Sequence, residues 1–243
     1  MRMSSLVLVT LCAATASLAQ AKTDVELTFS LLEYSDTTTK LKSDDLNHDT
    51  KETDLITAEP SFDLGIYADG MSLRFDIDAS DDSESGGILV GFGINDKLYA
   101  GPAILIENKK STDTTKPDGG SKSETKEESN SMAIGPFIHY RAKEAKQMIE
   151  AQAVLAQYNS KTKETSDSGT AETEDTTETK IMALTIGGNY RKLVWERVYF
   201  GAGLAYTMSL SGDSSSDDGT NTTDYDVDLN EIDLTLCDML VEF

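Results

Sequence analysis

RVYFGAGLAYTMSL, running from Arg197 to Leu210, alternates almost without error over a length sufficient to cross a membrane. Val198, Phe200, Ala202, Leu204, Tyr206, Met208 and Leu210 share one face, while Tyr199, Gly201, Gly203, Ala205, Thr207 and Ser209 share the other. One face is large and apolar and the other small and mildly polar. A strand needs this division if lipid lies on one side and a crowded barrel interior on the other. A soluble sandwich strand would also alternate, so the rest of the chain must decide.

The pattern recurs. Val25, Leu27, Phe29 and Leu31 alternate with Asp24, Glu26, Thr28 and Ser30. Ile56, Ala58, Phe62, Leu64 and Ile66 alternate with Thr57, Glu59, Ser61 and Asp63. Further candidate strands cover Met71 to Ala79, Gly87 to Ile94, Leu98 to Glu107, Ser131 to Arg141, Gln147 to Tyr158, Lys180 to Arg191 and the segment ending at Phe243. The count is ten, with eight as the alternative, because Gln147 to Tyr158 and the last segment alternate least clearly.

Short turns such as Ala68-Asp69-Gly70 and Asn95-Asp96-Lys97 take turns with long polar stretches: Ser35 to Glu52, Ser80 to Gly86, Asn108 to Asn130, Asn159 to Thr179 and Ser211 to Asp224. Those stretches lack apolar periodicity and are expected to be loops, all at one end of the sheet. Tyr67, Tyr99, Tyr140, Tyr190, Trp195 and Tyr199 gather beside the short turns, where an aromatic girdle is expected. Gly101-Pro102-x-Ile104 is echoed by Gly135-Pro136-x-Ile138, and proline's missing donor predicts bulges or strand ends there.

The first residues carry a positive n-region at Arg2, an apolar run from Leu6 to Ala14 and an Ala19-Gln20-Ala21 cleavage pattern. Residues 1–21 are therefore expected to be a signal peptide and 22–243 the mature protein, exported through the inner membrane. Cys12 falls inside the expected signal, which leaves Cys237 as the mature chain's lone thiol with no internal disulfide. The net charge of −22 disfavours nucleic acid as a partner. The mean hydropathy of −0.35 fits a membrane barrel as well as a soluble protein, since half of each strand and all of each loop are polar.

In its export signal, alternating strands and terminal Met239-Leu240-Val241-Glu242-Phe243, the chain resembles small bacterial outer-membrane β-barrel proteins of the opacity-type and porin-like class. The resemblance implies a closed, antiparallel, up-and-down transmembrane β-barrel with long external loops, set in outer-membrane lipid. It also implies that Met239, Val241 and Phe243 form the segment read by the barrel-assembly machinery. One departure stands out. Ile232, Leu234 and Leu236 have the opposite parity to Met239, Val241 and Phe243, so a bulge near Cys237-Asp238 is expected, or else half of that strand faces the wrong way.

Chemistry is sparse. The two histidines are His48, in a polar stretch expected to be a solvated loop, and His139, on an inward position beside Arg141. Ten-stranded proteases of the omptin type pair an Asp-His couple with a second acidic pair. Asp76-Ile77-Asp78 and Asp226-Val227-Asp228 echo the acidic half, but neither histidine neighbours an aspartate in that pattern, so no catalytic residue is assigned and no enzyme is expected. Asp213, Asp217, Asp218 and Asp224 fail the EF-hand order, so no metal or other cofactor is expected. The inward candidates are Glu26, Glu59, Asp63, Arg74, Asp76, Asp78, Glu107, His139, Arg141, Glu150 and Arg191. They would form either a salt-bridged plug or a narrow pore preferring small cations, because about eight strands are just filled by side chains. A structural or narrow porin-like role is the first expectation, and a plugged barrel displaying acidic loops to an extracellular partner is the alternative.

Overall fold

The computed structural model describes residues 23–30, 32–42, 47–57, 61–68, 70–79, 83–115, 123–144, 146–167, 172–217, 219 and 222–243. The expected signal at 1–21 lies outside the described residues, as do Leu31, Ala58, Glu59, Asp69 and Asp218. Twelve strand segments follow in order: β1 (Asp24–Ser30), β2 (Leu32–Lys42), β3 (Asn47–Thr57), β4 (Ser61–Ala68), β5 (Met71–Ala79), β6 (Ser83–Asn95), β7 (Leu98–Thr115), β8 (Ser123–Glu144), β9 (Gln147–Asp167), β10 (Glu172–Trp195), β11 (Val198–Asp217) and β12 (Thr222–Glu242).

Each segment from β4 to β12 pairs antiparallel with the next in the chain, and β12 returns to the start. Its end pairs with β1, from Glu26↔Glu242 to Phe29↔Met239, while its earlier part pairs with β2, from Asp226↔Lys42 to Leu236↔Leu32. On the other side β1 meets β4 and β2 meets β3. Thus β1 with β2, and β3 with β4, each make one stave, and the wall is a closed ring of ten. In hydrocarbon no water can satisfy a free strand edge, so closure is the only way to pair every backbone group.

The alternation sorts the side chains as the closed ring requires. On β11, Phe200, Leu204 and Leu210 are exposed outward while Tyr199 and Thr207 are buried inward. Phe92, Ile94, Ile106, Ile134, Ile138 and Ile186 extend the exposed apolar belt around the other staves. Large apolar groups turned outward around a closed sheet define a transmembrane β-barrel.

The expected bulge is present. In the β11–β12 ladder Gly201 pairs with Asp238 and Ala202 with Leu236, so Cys237 is the extra residue. One added residue turns over the side-chain parity of everything after it. Ile232 therefore faces outward before the bulge, and Asp238 and Leu240 are buried inward after it.

Two expectations are corrected. Most of the long polar stretches are strand rather than loop. β7 and β8 pair from Leu98↔Tyr140 up to Thr115↔Ser123, and β9 and β10 up to Glu172↔Asp167. β2 and β3 likewise occupy much of Ser35 to Glu52 and place His48 opposite Leu41. Beyond the membrane both faces are wet, so apolar periodicity vanishes while the β-branched threonines keep the chain extended. Cross-strand pairs add to this. Lys161 donates to Glu178 at 3.0 Å, and that hydrogen bond holds the Glu178 carboxyl below its ordinary range. β10 reaches 24 residues, whereas about 9–11 suffice to cross a bilayer.

The prolines make neither bulge nor strand end. Pro102 and Pro136 sit directly opposite each other in an unbroken β7–β8 register. The β6–β7 and β8–β9 pairings are interrupted beside them, between Leu89↔Ala103 and Phe92↔Ala100 and between Ile134↔Gln157 and Phe137↔Val154. Facing prolines suit a pair whose N–H positions point away from each other, so each missing donor falls on its outer neighbour. The adjoining glycines allow that neighbour to come close: a Cβ on Gly101 would collide with the Val90 carbonyl oxygen, and one on Gly135 with that of Leu155.

Leu204→Arg, in the outward belt, is expected to destabilise the barrel by about 2–4 kcal/mol. Urea unfolding in lipid vesicles, followed by fluorescence of the sole tryptophan, measures this.

Candidate functional site

The inward positions nearest the short turns bring together charges from several staves, some of them far apart in the ring. Arg141 on β8 donates to Glu26 on β1 and stands 3.9 Å from Asp24. Arg74 on β5 donates from Nη1 to Gln152 Oε1 on β9 at 2.8 Å and lies 3.9 Å from Asp76. Arg191 on β10 donates to Glu150 on β9, and its Nε donates to Asp238 Oδ2 on β12 at 2.6 Å. The Arg141–Glu26 and Arg74–Gln152 bonds cross the interior, whereas Arg191 ties neighbouring β9 to β12, one stave beyond β11. Glu26, Glu150, Arg191 and Asp238 are buried, and His139 is 0% exposed with Nε2 3.4 Å from Glu150 Oε1. Glu150 therefore divides its two oxygens between Arg191 and His139. Desolvated charges of this kind persist only where each finds an opposite partner in good geometry.

Aromatic rings seal the same layer. Tyr67 lies 5.9 Å from Tyr99 and 6.1 Å from His139, and the Arg141 guanidinium carbon sits 4.3 Å over the Tyr67 ring. A cation over a buried tyrosine face is favourable where water is excluded. This changes the expected girdle. Tyr67, Tyr99 and Tyr199 are buried inside because they share parity with Asp63, Gly101 and Gly201; Tyr140, Tyr190 and Trp195 are exposed outside.

Nearer the turns, Met148, Tyr199 and Leu240 form a buried apolar floor with Leu193 packed against it. Toward the hairpins, Leu89, Ala103, Ala133, Phe137, Val154 and Ala156 form an apolar interior wall joined by Leu105 and Tyr158.

The remaining inward candidates are more dispersed. Asp63 and Asp76 are half-buried, Asp78 holds its place opposite Ser61 in the β4–β5 ladder, and Glu107 is exposed, accepting from Ser131 Oγ at 3.3 Å. Glu59 lies outside the described residues. Among the described residues no group of three or more His, Cys, Asp or Glu side chains is arranged to hold a metal ion.

Sequence reasoning missed Asp238, the interior placing of Tyr67 and Tyr99, and the apolar wall; Tyr199 stood on the inward face by parity yet was also counted for the girdle. Asp238 was hidden by the bulge. The wall left one signal, the weak alternation of Gln147 to Tyr158, because inward Met148 and Val154 are as apolar as outward Ile149 and Leu155. Gly201 is explained by the close approach of β10: a Cβ there would collide with the Tyr190 carbonyl oxygen and lie 2.8 Å from Arg191 Cα, with Arg191 Cγ also within 2.7 Å.

The closed ring, its apolar belt and its filled interior place the chain in the class of transmembrane up-and-down β-barrels. No family model matches the sequence, and no curated protein does. Among solved structures it is similar to the outer membrane protease OmpT from Escherichia coli, at 9% identity and a TM-score of 0.49, over 91% of this chain and 96% of that one. It is also similar to the translocator domain of the autotransporter NalP from Neisseria meningitidis, at 8% identity and a TM-score of 0.48, over 96% and 95% of the two chains. A third is Ail, the attachment invasion locus protein of Yersinia pestis, at 10% identity and a TM-score of 0.36, over 91% and 99%. Likenesses this distant assign no role, and the class rests on the chain's own geometry.

Arg141→Met leaves Glu26 buried without its cation and is expected to cost about 3–5 kcal/mol, whereas Glu26→Gln with Arg141→Met is expected to cost less than the sum of the two single changes. A double-mutant cycle by equilibrium unfolding checks both.

Proposed function

We propose that the protein is a bacterial outer-membrane barrel with a closed lumen, whose work is done by the tall polar hairpins it holds above the membrane. The observation that carries this reading is the Arg141–Glu26 contact across the interior, in the same layer as Tyr67, Tyr99 and His139. A lumen crossed by paired charges and stacked rings leaves no continuous file of water, so function moves to the rim. There β7 to β12 extend as a wall of Thr, Ser, Lys and Glu, and an extracellular partner would meet paired strands rather than slack loops. Export is assigned to a signal at 1–21. Assembly is assigned to the last strand, where Phe243 donates its N–H to the Val25 carbonyl at 2.9 Å and completes the ring that the barrel-assembly machinery would close.

A narrow, cation-preferring pore is the second reading, favoured by the half-buried acids Glu231 and Asp233 on the β12 face that carries Asp238 across the bulge. Planar-bilayer recording separates the two. The intact protein is expected to be silent, and sustained cation-selective steps would favour the pore. Replacing residues 109–129 by a tight turn is expected to leave the barrel folded while removing surface or partner binding; unchanged binding would move the function elsewhere.

A further inference from the structure

Just beyond the charged layer, on the hairpin side, the interior holds a cavity of about 250 Å³ bordered by Asp63, Arg74, Asp76, His139, Gln152 and Asn189. The cations around it are already engaged. Arg74 points at Gln152 and Asp76, and Arg191 is held by Glu150 and Asp238. What remains open is acceptor capacity. Asp76 Oδ1 and both ring nitrogens of His139 are buried without a hydrogen-bond partner. Nε2 is the ring nitrogen that stands near a carboxylate, 3.4 Å from Glu150 Oε1; in the neutral ring a proton placed on Nε2 toward Glu150 leaves Nδ1 as the acceptor. With Arg191 and its second partner counted as well, the four acids Asp63, Asp76, Glu150 and Asp238 outnumber the two arginines Arg74 and Arg191.

An occupant must therefore bring N–H donors and positive charge. We infer that this cavity is a binding site for a small organic amine, whose primary ammonium group donates to Asp76 Oδ1 and His139 Nδ1 beside Asp63. The volume admits a molecule displacing roughly eight waters, at about 30 Å³ each. Access is from the rim. Asp76 lies three residues before Ala79, the last residue of β5, on the order of 10 Å along the strand at about 3.3 Å per residue. The site is independent of whether the hairpins bind a partner or the barrel conducts.

Titration calorimetry of the full chain, folded in detergent micelles, with 1,4-diaminobutane is the test. Saturable one-to-one binding is expected. Asp76→Asn, which removes the charge, and Ala205→Met, which fills the space without touching a charge, should each weaken it at least tenfold. Tetraethylammonium, a cation without N–H donors, should not compete at equal ionic strength. Folding of each variant is read from electrophoretic mobility without boiling, and if one fails to fold the other decides; if both fail, tetraethylammonium competition on the native chain decides. Absence of saturable binding, equal competition by tetraethylammonium, or undiminished binding in a folded variant would overturn the inference, the last outcome assigning the amine to the acidic exterior.

Discussion

A peptide group inside a bilayer has no water to bond with, and nearly every feature of this chain answers that constraint. It forces the sheet to close, so β12 must meet β1 and β2 in register. Closure with the right faces requires the extra residue at Cys237, since without it either the Ile232 side or the Met239 side of the strand would turn its apolar groups inward. The same constraint governs the prolines. They are tolerated because they face each other and their missing donors coincide with the interrupted pairings on either side.

Closure creates a second problem, which is the space inside. A ring of ten is close to the size that side chains alone can fill. Here the filling is layered, with an apolar floor at Met148, Tyr199 and Leu240, then the arginine, carboxylate and tyrosine layer, then the alanine-rich wall around Phe137. Glycine appears inward where neighbouring backbone comes close, as the Tyr190–Arg191 stretch of β10 does at Gly201. The interior charges are thus structural consequences of one another, and the cavity beside them is what the packing leaves over.

How much of this could be read in advance depended on the environment of each residue. Where lipid lies on one side, alternation is steep, and Phe200, Leu204 and the rest of β11 up to Leu210 were legible with their faces. Two kinds of position were not. Beyond the membrane both faces are solvated, so strand and loop share one polar composition, and the pairing of Asn159 to Asp167 with Glu172 to Lys180, or of Asn108 to Thr115 with Ser123 to Asn130, left no apolar trace. Inside the barrel, apolar filler such as Val154 and buried rings such as Tyr67 obey packing rather than polarity, so their residue type says nothing about which way they point. Asp238 illustrates a third difficulty. Its parity was recoverable only by trusting the phase change at the end of the chain over the phase of the strand before it.

The central claim is that each stave sends one face to lipid and the other into a packed, water-poor interior. It is tested most directly by placing a nitroxide label at each position from Val198 to Leu210 in lipid vesicles and measuring collision with oxygen and with a water-soluble nickel complex. High oxygen accessibility is expected at Val198, Phe200, Ala202, Leu204, Tyr206, Met208 and Leu210. Tyr199, Gly201, Gly203 and Thr207 should show low accessibility to both reagents, while Ala205 borders the interior cavity and is set apart from this comparison. A flat profile, or strong nickel access at Gly201 and Gly203, would contradict it, because either would mean that water and not side chains occupies the barrel.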